Sequence, residues 1–161
     1  MLDLLPDLFD QYPTELHLIS IPWQHYGNRP LFFGEVVTVK CFEDNSMVKA
    51  ELAKPGHGKV LVVDGGGSTR RALLGDLIAS CAVDNGWEGI VIYGCIRDVS
   101  TINTMNIGVK AIGTNPIKTD KRDIGDVGIT LELNSTRVTN GMYIYADLNG
   151  VAVSRHALSI K

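Results

Sequence analysis

Asp76, Arg97 and Asp98 are the residues whose types and spacing could do chemistry, with twenty residues between the first carboxylate and the charged pair. A carboxylate is a hard oxygen ligand for a divalent cation, and a guanidinium offers a planar donor fork to an oxyanion. The stretch from Leu74 to Gly86 reads as a helix. Leu74, Leu77, Ile78, Cys81 and Ala82 recur at helical spacing, Asp76, Ser80 and Asp84 occupy another face, and Gly86 stops it. With the helix starting at Gly75 and Asp76, the free amides of Asp76, Leu77 and Ile78 can hold a carboxylate or phosphate. An anion beside a divalent metal is the chemistry this set suits.

The elements around it decide whether these groups meet. Lys59–Asp64 is a short apolar run rich in valine, followed by Gly65-Gly66-Gly67, the helix, and a second run, Ile90–Tyr93. Strand, glycine loop, helix, strand is a βαβ unit with parallel strands and a right-handed crossover. Loops after parallel strands gather at one sheet edge, where open α/β sheets bind ligands. That edge would collect the glycine loop, the helix start and a polar loop from Gly94 to Asp98. Structural roles compete with this reading: helix capping for Asp76, an ion pair and the cap of the next helix for Arg97 and Asp98, and a turn hydrogen bond for Asp64.

The rest of the chain supplies flanking elements. Leu2–Asp10 reads as a helix packed as a flap, Leu16–Ile21 as a strand, and Pro22–Pro30 as a loop whose Trp23 and Tyr26 either serve a subunit contact or cover their own core. Phe32–Cys41 is a strand, Glu43–Ser46 caps a helix, Val99–Asn106 is a short helix, and Val109–Gly113 is a third parallel strand. Thr114–Asp126 is a solvated loop carrying Lys118, Lys121 and Arg122. Short strands then alternate with Asn-Ser and Asn-Gly turns, so an antiparallel C-terminal β layer is added to a βαβ core.

Composition narrows the function classes. The 161 residues, 45% hydrophobic, suit one domain spanning 1–161. A net charge of −3 gives no basic footprint for nucleic acid, and the four histidines are scattered. No run has the form of a membrane span or signal peptide, which predicts a cytoplasmic protein with no membrane partner. Cys41, Cys81 and Cys95 lie in apolar surroundings and match no zinc spacing, so they read as reduced core thiols, with Cys95 closest to the site. The glycine loop lacks the last glycine of a dinucleotide fingerprint, and no P-loop lysine follows it.

Asp76, twenty residues, then Arg97-Asp98 is similar to the signature of the class II pyruvate aldolases that cleave 4-hydroxy-4-methyl-2-oxoglutarate. Phe33–Asn45, Val60–Gly67, Arg70–Leu73 and Tyr145–Gly150 resemble the RraA group, named for a regulator of ribonuclease E activity, and the resemblance runs from about Phe9 to Leu158. It implies an α/β, three-layer β/β/α swivelling-domain-like fold, usually a homotrimer. It also implies a lyase that cleaves a 2-oxo acid, or decarboxylates oxaloacetate, through a pyruvate enolate held by a Lewis acid and a cation. By position, Asp98 would ligate Mg²⁺ or Mn²⁺, Arg97 would stabilise the C2 oxygen, Gly75, Asp76, Leu77 and Ile78 would hold the substrate carboxylate through their amides, and Asp76 would orient the metal's water shell. Full-length aldolases lend an acidic residue from a longer C-terminal segment to the neighbouring site. It is not found before Lys161, so decarboxylation is expected to suffer less than aldol cleavage. A second function class is a non-catalytic trimer that binds and inhibits ribonuclease E; Asp98, which some regulators lack, favours catalysis.

Overall fold

The computed structural model describes residues 2–160. The chain runs α1 (Leu4–Gln11), β1 (Leu16–Leu18), β2 (Gln24–Tyr26), β3 (Phe32–Lys40), α2 (Ser46–Leu52), β4 (Lys59–Asp64), α3 (Asp76–Asp84), β5 (Gly89–Tyr93), β6 (Cys95–Ile96), α4 (Val99–Ile102) and β7 (Gly108–Ala111). It continues through β8 (Gly113–Thr114), β9 (Asp126–Val127), β10 (Leu131–Leu133), β11 (Thr136–Val138), β12 (Tyr143–Asp147) and β13 (Gly150–Ser154). Strands β3, β4, β5 and β7 are parallel neighbours, β2 adds antiparallel to β7, and β12, β13 and β1 continue antiparallel from β3. β10 and β11 form a separate hairpin, and β6 pairs with β8.

The apolar runs of β4 and β5 are unbroken because both of their faces are covered. Leu61, Val63, Ile90 and Ile92 pack toward the helices with Val48, Leu52, Ala79 and Ile102. Val60, Val62 and Val91 point the other way. There they meet Leu131, Leu133 and Val138 of the hairpin and Ile144, Ala146, Val151 and Val153 of the C-terminal strands. The sheet therefore folds over itself beyond β3, giving helices, parallel strands and a second β layer: the β/β/α arrangement. Phe32 sits where the layers turn, its ring against Gly89 and Gly108. A Cβ on either glycine would lie within 2.2 Å of that ring.

Several local expectations change. The N-terminal helix is no flap, since Leu4, Leu5 and Leu8 are buried against Tyr145 and Ala152 on the outer face of β12 and β13. Trp23 and Tyr26 pack on the chain's own core, and part of the expected Pro22–Pro30 loop is the edge strand β2. A strand this short is hidden from period-2 reading by the flanking Pro22, Gly27 and Pro30. The helix α3 begins at Asp76, so Leu74 precedes it and the buried face is Ala79 and Ala82, leaving Leu77 82% exposed.

One polar node ties the two β layers and α1 together. The buried Lys110 on β7 donates from Nζ to the Asp147 carbonyl at 2.6 Å. The buried Asp147 carboxylate accepts the Leu5 and Asn149 amides at 2.8 and 2.7 Å. Burial pushes Lys110 down to about 8, against the pull of Asp147. His25 lies opposite Lys110 in the β2–β7 ladder, with both ring nitrogens shut off from solvent and without a hydrogen-bond partner among the described residues. Burial, reinforced by Lys110, lowers its pKa to about 4. The unfolded chain takes up a proton near 6.5 while the fold refuses it until about 4, so stability falls as pH drops through that window. Urea midpoints measured near neutrality and at about pH 5 should show the native protein losing about 1 to 2 kcal/mol more than His25→Phe. Equal losses would contradict this account of His25.

Candidate active site

The chain leaves β4 through the glycine loop and returns to the sheet edge as the buried segment Ala72-Leu73-Leu74. That segment is laced to the strand-end loop beside it. Leu73 N–H donates to the Cys95 carbonyl at 2.8 Å and Arg97 N–H to the Leu74 carbonyl at 2.9 Å. Cys95 and Ile96, expected in a polar loop, form the short strand β6, Cys95 being buried as its core-thiol reading expects, and this short ladder sets Gly75 against the charged pair. A Cβ on Gly75 would lie 2.9 Å from Asp98 Oδ2 and 3.3 Å from Arg97 Nε. The backbone there is extended, so space is what glycine supplies.

Asp98 stands in the left-handed region at φ 58°, ψ 37°, a conformation that aspartate tolerates better than most residues. It occupies the cap position of α4, yet its side chain makes no bond to that helix. Oδ2 instead accepts the Asp76 N–H at 2.9 Å and lies 3.9 Å from Arg97 Nε. Asp98 thus caps α3, twenty-two residues upstream, and takes one of the four amides, Gly75 to Ile78, expected to hold a substrate carboxylate. The amides of Leu77 and Ile78 and the Asp98 Oδ1 atom have no partner among the described residues. The Asp76 carboxylate makes no hydrogen bond among them either. Arg97 and Asp98 side chains are each 36% exposed, so the site is an open surface at the carboxyl edge of the parallel strands.

A divalent ion would find one oriented carboxylate here. Among the described residues no three His, Cys, Asp or Glu side chains gather as a ligand set. That donor set fits Mg²⁺ or Mn²⁺, which keep several waters and accept one or two carboxylates plus substrate oxygens. It does not fit zinc, which takes three or four protein ligands. The glycine loop is self-contained: Gly66 N–H donates to Asp64 Oδ1, and Gly65 and Gly67 donate to the Tyr93 carbonyl. Its amides are therefore closed to a phosphate, and Asp64 has the turn role that competed with a site role. Cys95 is buried with its pKa raised by desolvation, the opposite of the exposed, electropositive setting that activates a thiolate.

The chain as a whole matches a known family. The sequence model of the RraA-like family, described as Aldolase/RraA, matches residues 5–153, and the chain belongs to that family. A Shewanella oneidensis protein named "Putative 4-hydroxy-4-methyl-2-oxoglutarate aldolase" is 57% identical over 99% of this chain and 97% of its own. A Hahella chejuensis protein of the same name is 55% identical over 96% and 94%. The structure of the RNA-processing inhibitor RraA from Thermus thermophilis superposes with a TM-score of 0.94 at 36% identity, covering 99% of this chain and 96% of that one. A Geobacillus kaustophilus structure described as an S-adenosylmethionine: 2-dimethylmenaquinone methyltransferase gives 0.94 at 45% identity, covering 96% of each chain. No helix among the described residues is long and apolar enough to cross a membrane.

The contact between Gly75 and the charged pair makes a direct prediction. In Gly75→Ala the new methyl must push the Asp98 carboxylate and Arg97 aside. The methyl meets side-chain atoms and no backbone, so loss of the Asp98 cap should lower the melting temperature only modestly while turnover falls roughly 10- to 100-fold. Undiminished turnover on a 2-oxo diacid would separate Gly75 from the chemistry.

Proposed function

We propose that this protein is a divalent-metal-dependent lyase acting on 2-oxo diacids at the Gly75, Asp76, Arg97 and Asp98 cluster. The observation that carries the reading is the placement of a guanidinium, an oriented carboxylate and two free helix-start amides within one open edge. Its relatives' aldolase name supports the same reaction class. The substrates are 4-hydroxy-4-methyl-2-oxoglutarate and oxaloacetate. In the first, the C4 hydroxyl loses its proton, the C3–C4 bond breaks, and its electron pair moves onto the C2 oxygen; protonation at C3 completes two pyruvates. In oxaloacetate the same bond breaks with loss of CO₂, leaving one pyruvate after protonation.

The protein's own groups divide this work. The Leu77 and Ile78 amides bind the carboxylate next to the ketone, with the positive end of α3 behind them. Arg97 holds the charge that grows on the C2 oxygen. Asp98 would hold Mg²⁺ or Mn²⁺, which when bound supplies Lewis-acid polarisation of the ketone. Asp76 positions water at the site's margin. The active form is taken to be a cytoplasmic homotrimer in which a neighbouring copy shelters the open edge.

The second reading, a non-catalytic trimer that binds ribonuclease E, has the inhibitor name of a structural relative behind it. It requires neither Asp98 nor a metal. A methyltransferase role has less support, because the glycine loop's amides are bonded internally. The deciding assay is pyruvate release from each substrate with Mg²⁺, with Mn²⁺ and with EDTA, on the native protein and Asp98→Ala. Native activity should vanish in EDTA and return with metal, and Asp98→Ala should lose metal stimulation. Metal-independent turnover, or an Asp98→Ala variant that is fully stimulated, would contradict the lyase assignment.

A further inference from the structure

A groove of about 1070 Å³ opens between β1, the end of β13 and the β10–β11 hairpin, and none of Gly75, Asp76, Arg97 or Asp98 lines it. Its walls carry His17 from β1, Arg137 from β11, and Arg155 and His156 just after β13, against a single carboxylate, Glu15. This is a local reversal of sign in a chain whose net charge is −3. Among the described residues, none of these basic side chains has a carboxylate within ion-pair distance. Arg137 is directly across the hairpin from Glu132, yet the two make no ion pair. The turn that presents Arg155 and His156 is fixed, since the buried Ser154 hydroxyl donates to the His156 carbonyl at 2.6 Å.

We infer that this groove binds a polyvalent oxyanion, a molecule carrying two or more carboxylate or phosphate groups. Arg137 on β11 and Arg155 just past the end of β13 each present a donor fork to the groove, and an anion with two or more oxyanion groups can engage both. Imidazole donors from two further positions extend the set, and a concave wall of low dielectric concentrates the positive potential. The basic side chains are exposed, so binding weakens as salt is added. The site is independent of the lyase reading and would stand if that reading fell.

Isothermal titration at low ionic strength, in EDTA, with citrate in one arm and pyrophosphate in the other, tests it. The native protein should bind with one anion per chain, and the tighter arm tells carboxylate from phosphate recognition. Arg137→Gln combined with Arg155→Gln should weaken binding at least roughly 10-fold. Glu15→Gln removes the opposing charge and should tighten it, an effect misfolding cannot imitate. Absence of saturable binding in both arms would overturn the proposal. So would affinity kept by the double variant, or affinity unchanged or weakened in Glu15→Gln.

Discussion

The hydrogen bond from the Asp76 amide to the Asp98 carboxylate is the constraint on which the geometry of the candidate site depends. It joins the start of α3 to the loop after β6, two segments brought together by a parallel sheet. The bond is charge-assisted and occupies an amide that a helix start leaves open. It holds one carboxylate oxygen, while the other makes no hydrogen bond among the described residues. It also holds Asp98 in a left-handed conformation, which aspartate tolerates better than most residues but which still costs more than the ordinary backbone regions. Backbone strain at a site of this kind is retained when surrounding contacts over-determine it. Here they are the Leu73 and Arg97 amide bonds to the neighbouring segments and the close approach of Gly75.

Behind that edge the fold is a stack of apolar layers with few polar ties. The parallel strands are covered on one side by helices and on the other by the folded-over C-terminal strands, so their ends are presented rigidly. The tie between Lys110 and Asp147 crosses from the central sheet to the turn of the second layer, and Asp147 also caps α1. A buried ammonium with a backbone acceptor is costly to desolvate, which is why burial depresses its pKa. The two β layers and α1 therefore share one electrostatic anchor as well as their packing.

Much of this was legible in the sequence. Valine-rich runs at Lys59–Asp64 and Ile90–Tyr93, separated by a glycine loop and a helical pattern, determine the βαβ unit and so the edge on which Asp76, Arg97 and Asp98 meet. The Asn-Ser and Asn-Gly turns marked the C-terminal hairpins. What was not legible depends on contacts distant in sequence. The target of the Asp98 side chain, α3 in place of α4, follows from the ladder between Ala72–Leu74 and β6, which no periodicity announces. Two- and three-residue strands such as β2 and β6 are too short to show alternation. Lys110 breaks an apolar strand with a charge, and only its distant carbonyl partner explains it.

The central claim is that Arg97 acts on charge that develops during the reaction, rather than merely bracing Asp98. Arg97→Lys keeps the positive charge and removes the planar fork, so measuring kcat on oxaloacetate and the melting temperature on one preparation separates the two roles. The account predicts kcat lower by roughly 10²-fold with KM changed less, the scale seen when one oxyanion donor is lost, and a melting temperature close to the native value. Full turnover per folded molecule with a lowered melting temperature would contradict it, and would leave Arg97 as a brace for the loop that carries Asp98.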